Sequence, residues 1–247
     1  MRENLFAIEK RKYRGVWEVL FFALVSAVSL GIAAANLYAG GDGDALFRRL
    51  SAVDSFLFIK IIVEPIFLAA VAGRSVEIES DRDMWKMIRT AGIDLDKVYA
   101  TKFCYSLSKV AVYQAVEWAA LLVLISVWVP GPLPWGRIVF SYAGQFCVSF
   151  LLLAVHYVLA LRRGEARTSA AVALVGTLAG LIFLFLPDVF SLVNPYSWYG
   201  RLMQVGYDYT GGEPVRYLMA PSYGIPIVAV LLGVAVLYGG IKRGVRE

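Results

Sequence analysis

Long apolar runs joined by short polar stretches set the pattern of this chain. Runs of about 18 residues or more cover 16–38, 52–73, 103–129, 138–161, 168–186 and 223–241. At 1.5 Å per residue, each can cross a hydrocarbon core. The pattern predicts an all-α polytopic membrane protein: six transmembrane helices in a single domain, 1–247. The first run is too long for the apolar region of a cleavable signal. Residues 1–15 interleave Arg2, Lys10, Arg11, Lys12 and Arg14 with Leu5, Phe6, Ile8 and Tyr13, which predicts an amphipathic interfacial helix.

Two joints are longer than the rest. Between the second and third runs, residues 74–100 are strongly charged. Glu77, Glu79, Asp81, Asp83, Asp94 and Asp96 nearly balance Arg74, Arg82, Lys86, Arg89 and Lys97. Met84, Trp85 and Ile88 share a helical face by i, i+3, i+4 spacing. This predicts a short helix with a small apolar face, suited to docking on another protein. A plain solvated loop is the alternative. Gly92 is placed to end that helix in the left-handed region, and Asp94 to cap the next. Between the fifth and sixth runs, residues 187–220 hold no spanning run but are rich in aromatics, among them Tyr196, Trp198 and Tyr199. Short helices at or dipping into the outer interface are expected, or else an ordinary aromatic belt.

Composition agrees with the pattern. The 247 residues are 59% hydrophobic and only 17% charged, outside the soluble range. The net charge of +5 matters less than its distribution. Apart from Lys60 and Lys109 inside the runs, only Arg48, Arg49, Arg137, Arg201 and Arg216 lie on the side opposite the termini. The positive-inside rule therefore places both termini and the 74–100 loop in the cytoplasm, with the protein in the cell membrane. Nothing suggests nucleic acid as a partner. Cys104 and Cys147 sit in apolar runs and are expected as buried apolar residues.

Catalytic patterns are missing. There is no Gly-Lys dipeptide, hence no Walker A loop, and no HExxH or GxSxG. The single histidine, His156, falls mid-run and is expected to pack in a helix. Four intramembrane charges remain: Lys60, Glu64, Lys109 and Glu117. Charges at that depth are expensive and usually face a partner inside the bundle. By helical rise, Lys109 and Glu117 lie roughly 10 and 22 Å from the cytoplasmic end, Glu64 and Lys60 roughly 13 and 19 Å. Glu64 levels with Lys109, and Lys60 with Glu117, so two interhelical ion pairs are expected. The alternative is a local Lys60–Glu64 pair with Lys109 snorkelling to the surface.

The whole chain resembles permease subunits of type-2 ABC exporters. The resemblance rests on the six spans, the basic amphipathic start and the two long joints. More locally it rests on Glu77-Ile78-Glu79, then Trp85-Lys86-Met87-Ile88, then Lys102. A proline often carried after the short helix is replaced here by Ala91-Gly92-Ile93. Length and layout are most similar to lantibiotic and bacteriocin immunity exporters. The resemblance implies that Glu77, Glu79, Met84, Trp85 and Ile88 belong to a coupling helix docked on a separate ABC ATPase dimer. It implies no cofactor and no catalysis in this chain, with ATP and Mg on the partner. It also implies a second permease, identical or sister, in contact with membrane lipid, and an amphipathic peptide-like substrate received near the outer aromatic loop. An ion-driven transporter with Glu64 and Glu117 as proton carriers, a membrane enzyme, and a non-transporting sensor or assembly protein are the competing classes.

Overall fold

The computed structural model describes residues 9, 12, 16–39, 44–80, 84–209 and 215–244. The interfacial helix expected over 1–15 lies outside them, apart from Glu9 and Lys12, which are both helical. Among the described residues, six helices are long and apolar enough to cross a membrane. They are α1 (Val16–Ala39), α2 (Ala45–Ser80), α4 (Leu95–Trp128), α5 (Trp135–Arg163), α6 (Ala166–Phe183) and α8 (Gly224–Gly244). The short α3 (Met84–Thr90) links α2 to α4.

The charged joint is shorter than its composition implies. α2 runs 36 residues and α4 runs 34, about 54 and 51 Å at the helical rise. A hydrocarbon core is about 30 Å thick. Both helices therefore continue past the apolar layer, carrying residues 74–80 and 95–102 as helix. Their shared end lies on the side that carries most of the chain's Lys and Arg residues, the basic end. The turn between α3 and α4 forms as expected: Gly92 has φ 68°, and the Asp94 carboxylate accepts the Asp96 N–H at 3.1 Å.

α2 is the central helix, packed against α1, α4, α5 and α6. Of its apolar stretch, 67% is buried, against 28% for α1 and 22% for α6 and α8. The apolar faces of those three peripheral helices remain open to lipid or another subunit.

At the opposite end, α7 (Asp188–Val193) leads into two 3-10 turns, Pro195–Ser197 and Gly200–Leu202. The short outer helices expected between the fifth and sixth spans are thus present. An unexpected hairpin follows: β1 (Val205–Asp208) pairs antiparallel with β2 (Val215–Leu218), with Val205 opposite Leu218. Its base is anchored on α2, where the buried Asp54 carboxylate accepts the N–H groups of Gln204 and Val205 at 3.0 and 2.7 Å. A second clamp lies nearby. Arg49 donates to the carbonyls of Val129, Pro130 and Pro132, which are the free acceptors at the end of α4 and its turn.

The 3-10 turns drop into the bundle instead of lying across it. α6 is only 18 residues long, and Gly176 and Gly180 open its inner face. A Cβ on Gly176 would lie 2.5 Å from the Tyr196 ring, and one on Gly180 3.0 Å from the Tyr196 backbone. These glycines let an outer segment approach helix backbone closely.

Candidate functional site

The centre of the bundle is ionic. Lys60 on α2 donates to both oxygens of Glu117 on α4, at 2.6 and 2.8 Å. Glu64, one turn further along α2, lies 3.0 Å from the same ammonium. All three side chains are at most 2% exposed, and the Phe56 ring faces the ammonium at 5.0 Å. At such depth the pairing must supply what water cannot. The arrangement does so with neighbours from three more elements. Ser26 on α1 donates to Glu117 at 2.6 Å. Gln114 donates to Glu64 at 2.9 Å and to Ser149 on α5 at 2.6 Å. Ser149 in turn shares a 2.9 Å hydrogen bond with the Tyr199 hydroxyl.

The expected Lys60–Glu117 pair is therefore present, together with the local Lys60–Glu64 pair. The expected Glu64–Lys109 pair is not. Lys109 pairs with Glu18 of α1 at 2.6 Å, beside the Tyr105 ring. The reason is azimuth. Eight residues separate Lys109 from Glu117, which turns it about 80° away around α4. Equal depth put it level with Glu64 but on the wrong face, and Gln114 occupies the position beside Glu64.

The outer segment completes this network from the hairpin end. Ser149 lies 14 residues into α5 (Trp135–Arg163), about 21 Å from its start, so Tyr199 reaches deep. Tyr199 is fully buried and its phenol is pushed well above its ordinary value by that burial. Tyr196 bonds the His156 ring at 3.3 Å, and burial pushes it up to about 12. His156 also meets Ser169 at 3.1 Å and is packed inside the bundle, as expected. Trp198 donates to the Leu192 carbonyl at 2.9 Å and is 4% exposed. These three aromatics are buried anchors and do not offer a receiving surface; Phe190, Tyr207, Tyr209 and Tyr217 are the exposed rings of the segment.

A second ionic group ties the basic end. Lys102 on α4 lies 3.0 Å from Glu79 on α2 and 2.9 Å from Glu9. Glu79 also pairs with Lys12. Burial alone would push the Lys12 ammonium down. The Glu79 hydrogen bond and the charges of Glu9 and Glu79 outweigh it and hold it above its ordinary value. Glu77 accepts the N–H of Ala166 at 3.1 Å, satisfying an orphan donor of α6. The acidic pair thus fastens α2 to α4 and to α6.

α3 presents a different face from the expected one. The Trp85 indole lies 5.0 Å from the Tyr99 ring and donates to Ser80 at 3.2 Å. Met84, Trp85 and Ile88 are half-buried. The apolar side chains turned outward at this tip are Met87, 60% exposed, and Ile93, 43% exposed. Of the expected apolar face, Trp85 fastens α3 to its own chain.

Sequence reasoning missed Ser26, Gln114, Ser149, Glu18 and Asp54. Gln114 was findable: it lies three residues before Glu117, on the interior stripe Val110, Gln114, Glu117, Leu121 of α4. The others become visible only once the helices are placed side by side.

Among the described residues, six membrane-length helices surround a buried ionic centre, two of them prolonged and joined by a short helix, which is the architecture of an all-α polytopic membrane protein. The ABC-2 family transporter protein model matches residues 8–187, and the chain belongs to that family. Membership makes it a transport component that works with an ABC ATPase subunit. No curated protein matches the chain.

Proposed function

We propose that this chain is the membrane subunit of an exporter that moves an amphipathic, peptide-like substrate, of the lantibiotic or bacteriocin kind, out of the membrane. ATP and Mg are bound and used on a paired ATPase subunit. A second permease, self or sister, completes the pathway, and both termini and the basic end face the cytoplasm. The chain acts as one unit over 1–247.

The observation that carries this reading is the α2–α3–α4 lever. Two helices extend beyond the apolar layer and are tied at their ends by Glu79–Lys102 and at mid-depth by Lys60–Glu117. α3 sits at the tip, with Met87 and Ile93 turned outward toward the ATPase. Glu77 and Glu79 fix the lever to its neighbours; Met84, Trp85 and Ile88 seat α3 on it. A push at the tip tilts α2 and α4 together, and the Gln114–Ser149–Tyr199 bonds transmit the tilt to the outer segment. The reading is tested by efflux of a labelled lantibiotic-like peptide from proteoliposomes holding chain and ATPase. ATP should drive it; efflux that follows an ion gradient without ATP would contradict it.

A further inference from the structure

A groove of about 590 Å³ crosses α2 at the basic end, between α1 and α6. Its floor is apolar: Phe21 and Phe67, with rings 5.9 Å apart, and Ala70 and Val71. Its rim is charged. The carboxylates on that rim are already engaged, Glu18 by Lys109 and Glu77 by the Ala166 N–H. Arg74 and Arg167, both exposed, make no hydrogen bond or ion pair with any described residue.

The level of the groove matters. Glu18 opens the apolar stretch of α1, Arg74 follows the apolar part of α2, and Arg167 is the second residue of α6. The rim therefore lies where a bilayer changes from hydrocarbon to headgroups, and the floor lies on the hydrocarbon side. Two free guanidiniums above an apolar trough match a phosphate above acyl chains.

We propose that this groove binds one anionic phospholipid of the leaflet at the basic end, its phosphate between Arg74 and Arg167 and an acyl chain along Phe21 and Ala70. The site stands apart from the exporter reading and does not depend on which substrate is moved.

The test is native mass spectrometry of the purified full chain in neutral detergent, titrated with phosphatidylglycerol or phosphatidylcholine of identical acyl chains. Phosphatidylglycerol should bind preferentially. Its affinity should fall about fivefold for each arginine removed in Arg74→Gln and Arg167→Gln. Ala70→Trp, at an exposed floor position, should weaken both lipids. Arg162→Gln with Arg163→Gln removes two exposed arginines of the same end outside the groove, and should change nothing. Equal binding of the two lipids would overturn the proposal. So would an equal loss in the control pair, since that is general surface charge. Displacement by glycerol phosphate at the lipid's own concentration would assign the arginines to a free phosphate instead. Disulfide capture of a second copy through Ala170→Cys, on the α6 wall of the groove, undiminished by phosphatidylglycerol, would make the groove a seam between chains.

Discussion

Lys60 and Glu117 meet through two short hydrogen bonds, 2.6 and 2.8 Å, between the two helices that carry α3 at their far ends. Glu64 shares the same ammonium, so the centre holds one basic side chain and two acidic ones. This ratio makes the three positions unequal. Lys60→Gln leaves two carboxylates facing each other without their cation. Glu117→Gln or Glu64→Gln leaves one carboxylate opposite one ammonium. Breaking a buried pair costs about 3–5 kcal/mol in soluble cores and less in membranes, where other partners relieve it. Thermal unfolding in detergent should rank Lys60→Gln as clearly the most damaging of the three. Equal losses would mean that the three groups do not share one site.

Lys109 should couple to Glu18 and not to Glu64. In double-mutant cycles on unfolding free energy, Lys109→Gln and Glu18→Gln should be non-additive by about 0.5 kcal/mol or more. Lys109→Gln with Glu64→Gln should add to within experimental error, because Gln114, not Lys109, donates to Glu64. The reverse pattern would restore the pairing expected from depth alone.

The outer segment should be held more by fit than by its hydroxyls. Tyr199→Phe loses one bond to Ser149, which keeps Gln114 as donor, and should cost about 1 kcal/mol. Gly176→Ala puts a methyl 2.5 Å from the Tyr196 ring and should cost about 1–3 kcal/mol through overpacking. Protease cutting within 187–220 should accelerate in Gly176→Ala and barely change in Tyr199→Phe. Equal cutting would show that the segment does not seat on α6.

The extent of what could be read from the chain follows from which physical signal each feature leaves. The six spans are visible because burying apolar length in lipid imposes long unbroken runs. The Gly92 and Asp94 signals at the end of α3 are local, and both hold. Hydropathy underestimates the helix lengths, because it falls where a helix leaves the membrane even though the helix continues. Ser75, Glu79 and Lys102 are buried polar residues on such continuations. Depth along an axis is additive in residues and paired Lys60 with Glu117 correctly. Azimuth is the second coordinate: eight residues turn Lys109 about 80° away from Glu117 around α4, which takes it off the face toward Glu64. The hairpin had its own signal: Val205, Tyr207 and Tyr209 alternate, Val215 and Tyr217 alternate, and Gly211-Gly212 lies between. Aromatic richness hid it. The descent of Tyr196 and Tyr199 into the core depends on Gly176 and Gly180 across α6, a relation with no mark in either stretch alone.

In the proposed exporter, α3 takes the force of a separate ATPase through an outward face built on the exposed Met87, while Trp85 holds α3 to its own chain. The direct measurement is the yield of P-loop ATPase, identified by its Walker A peptide, on the purified tagged chain, alongside the melting temperature of the chain itself. Met87→Asp, at a 60% exposed position, should leave melting unchanged and reduce the ATPase yield at least tenfold, about 1.4 kcal/mol of binding free energy. Trp85→Ala should lower melting through the lost Tyr99 and Ser80 contacts. An ATPase yield that is full in Met87→Asp, or absent from the unaltered chain, would contradict the account.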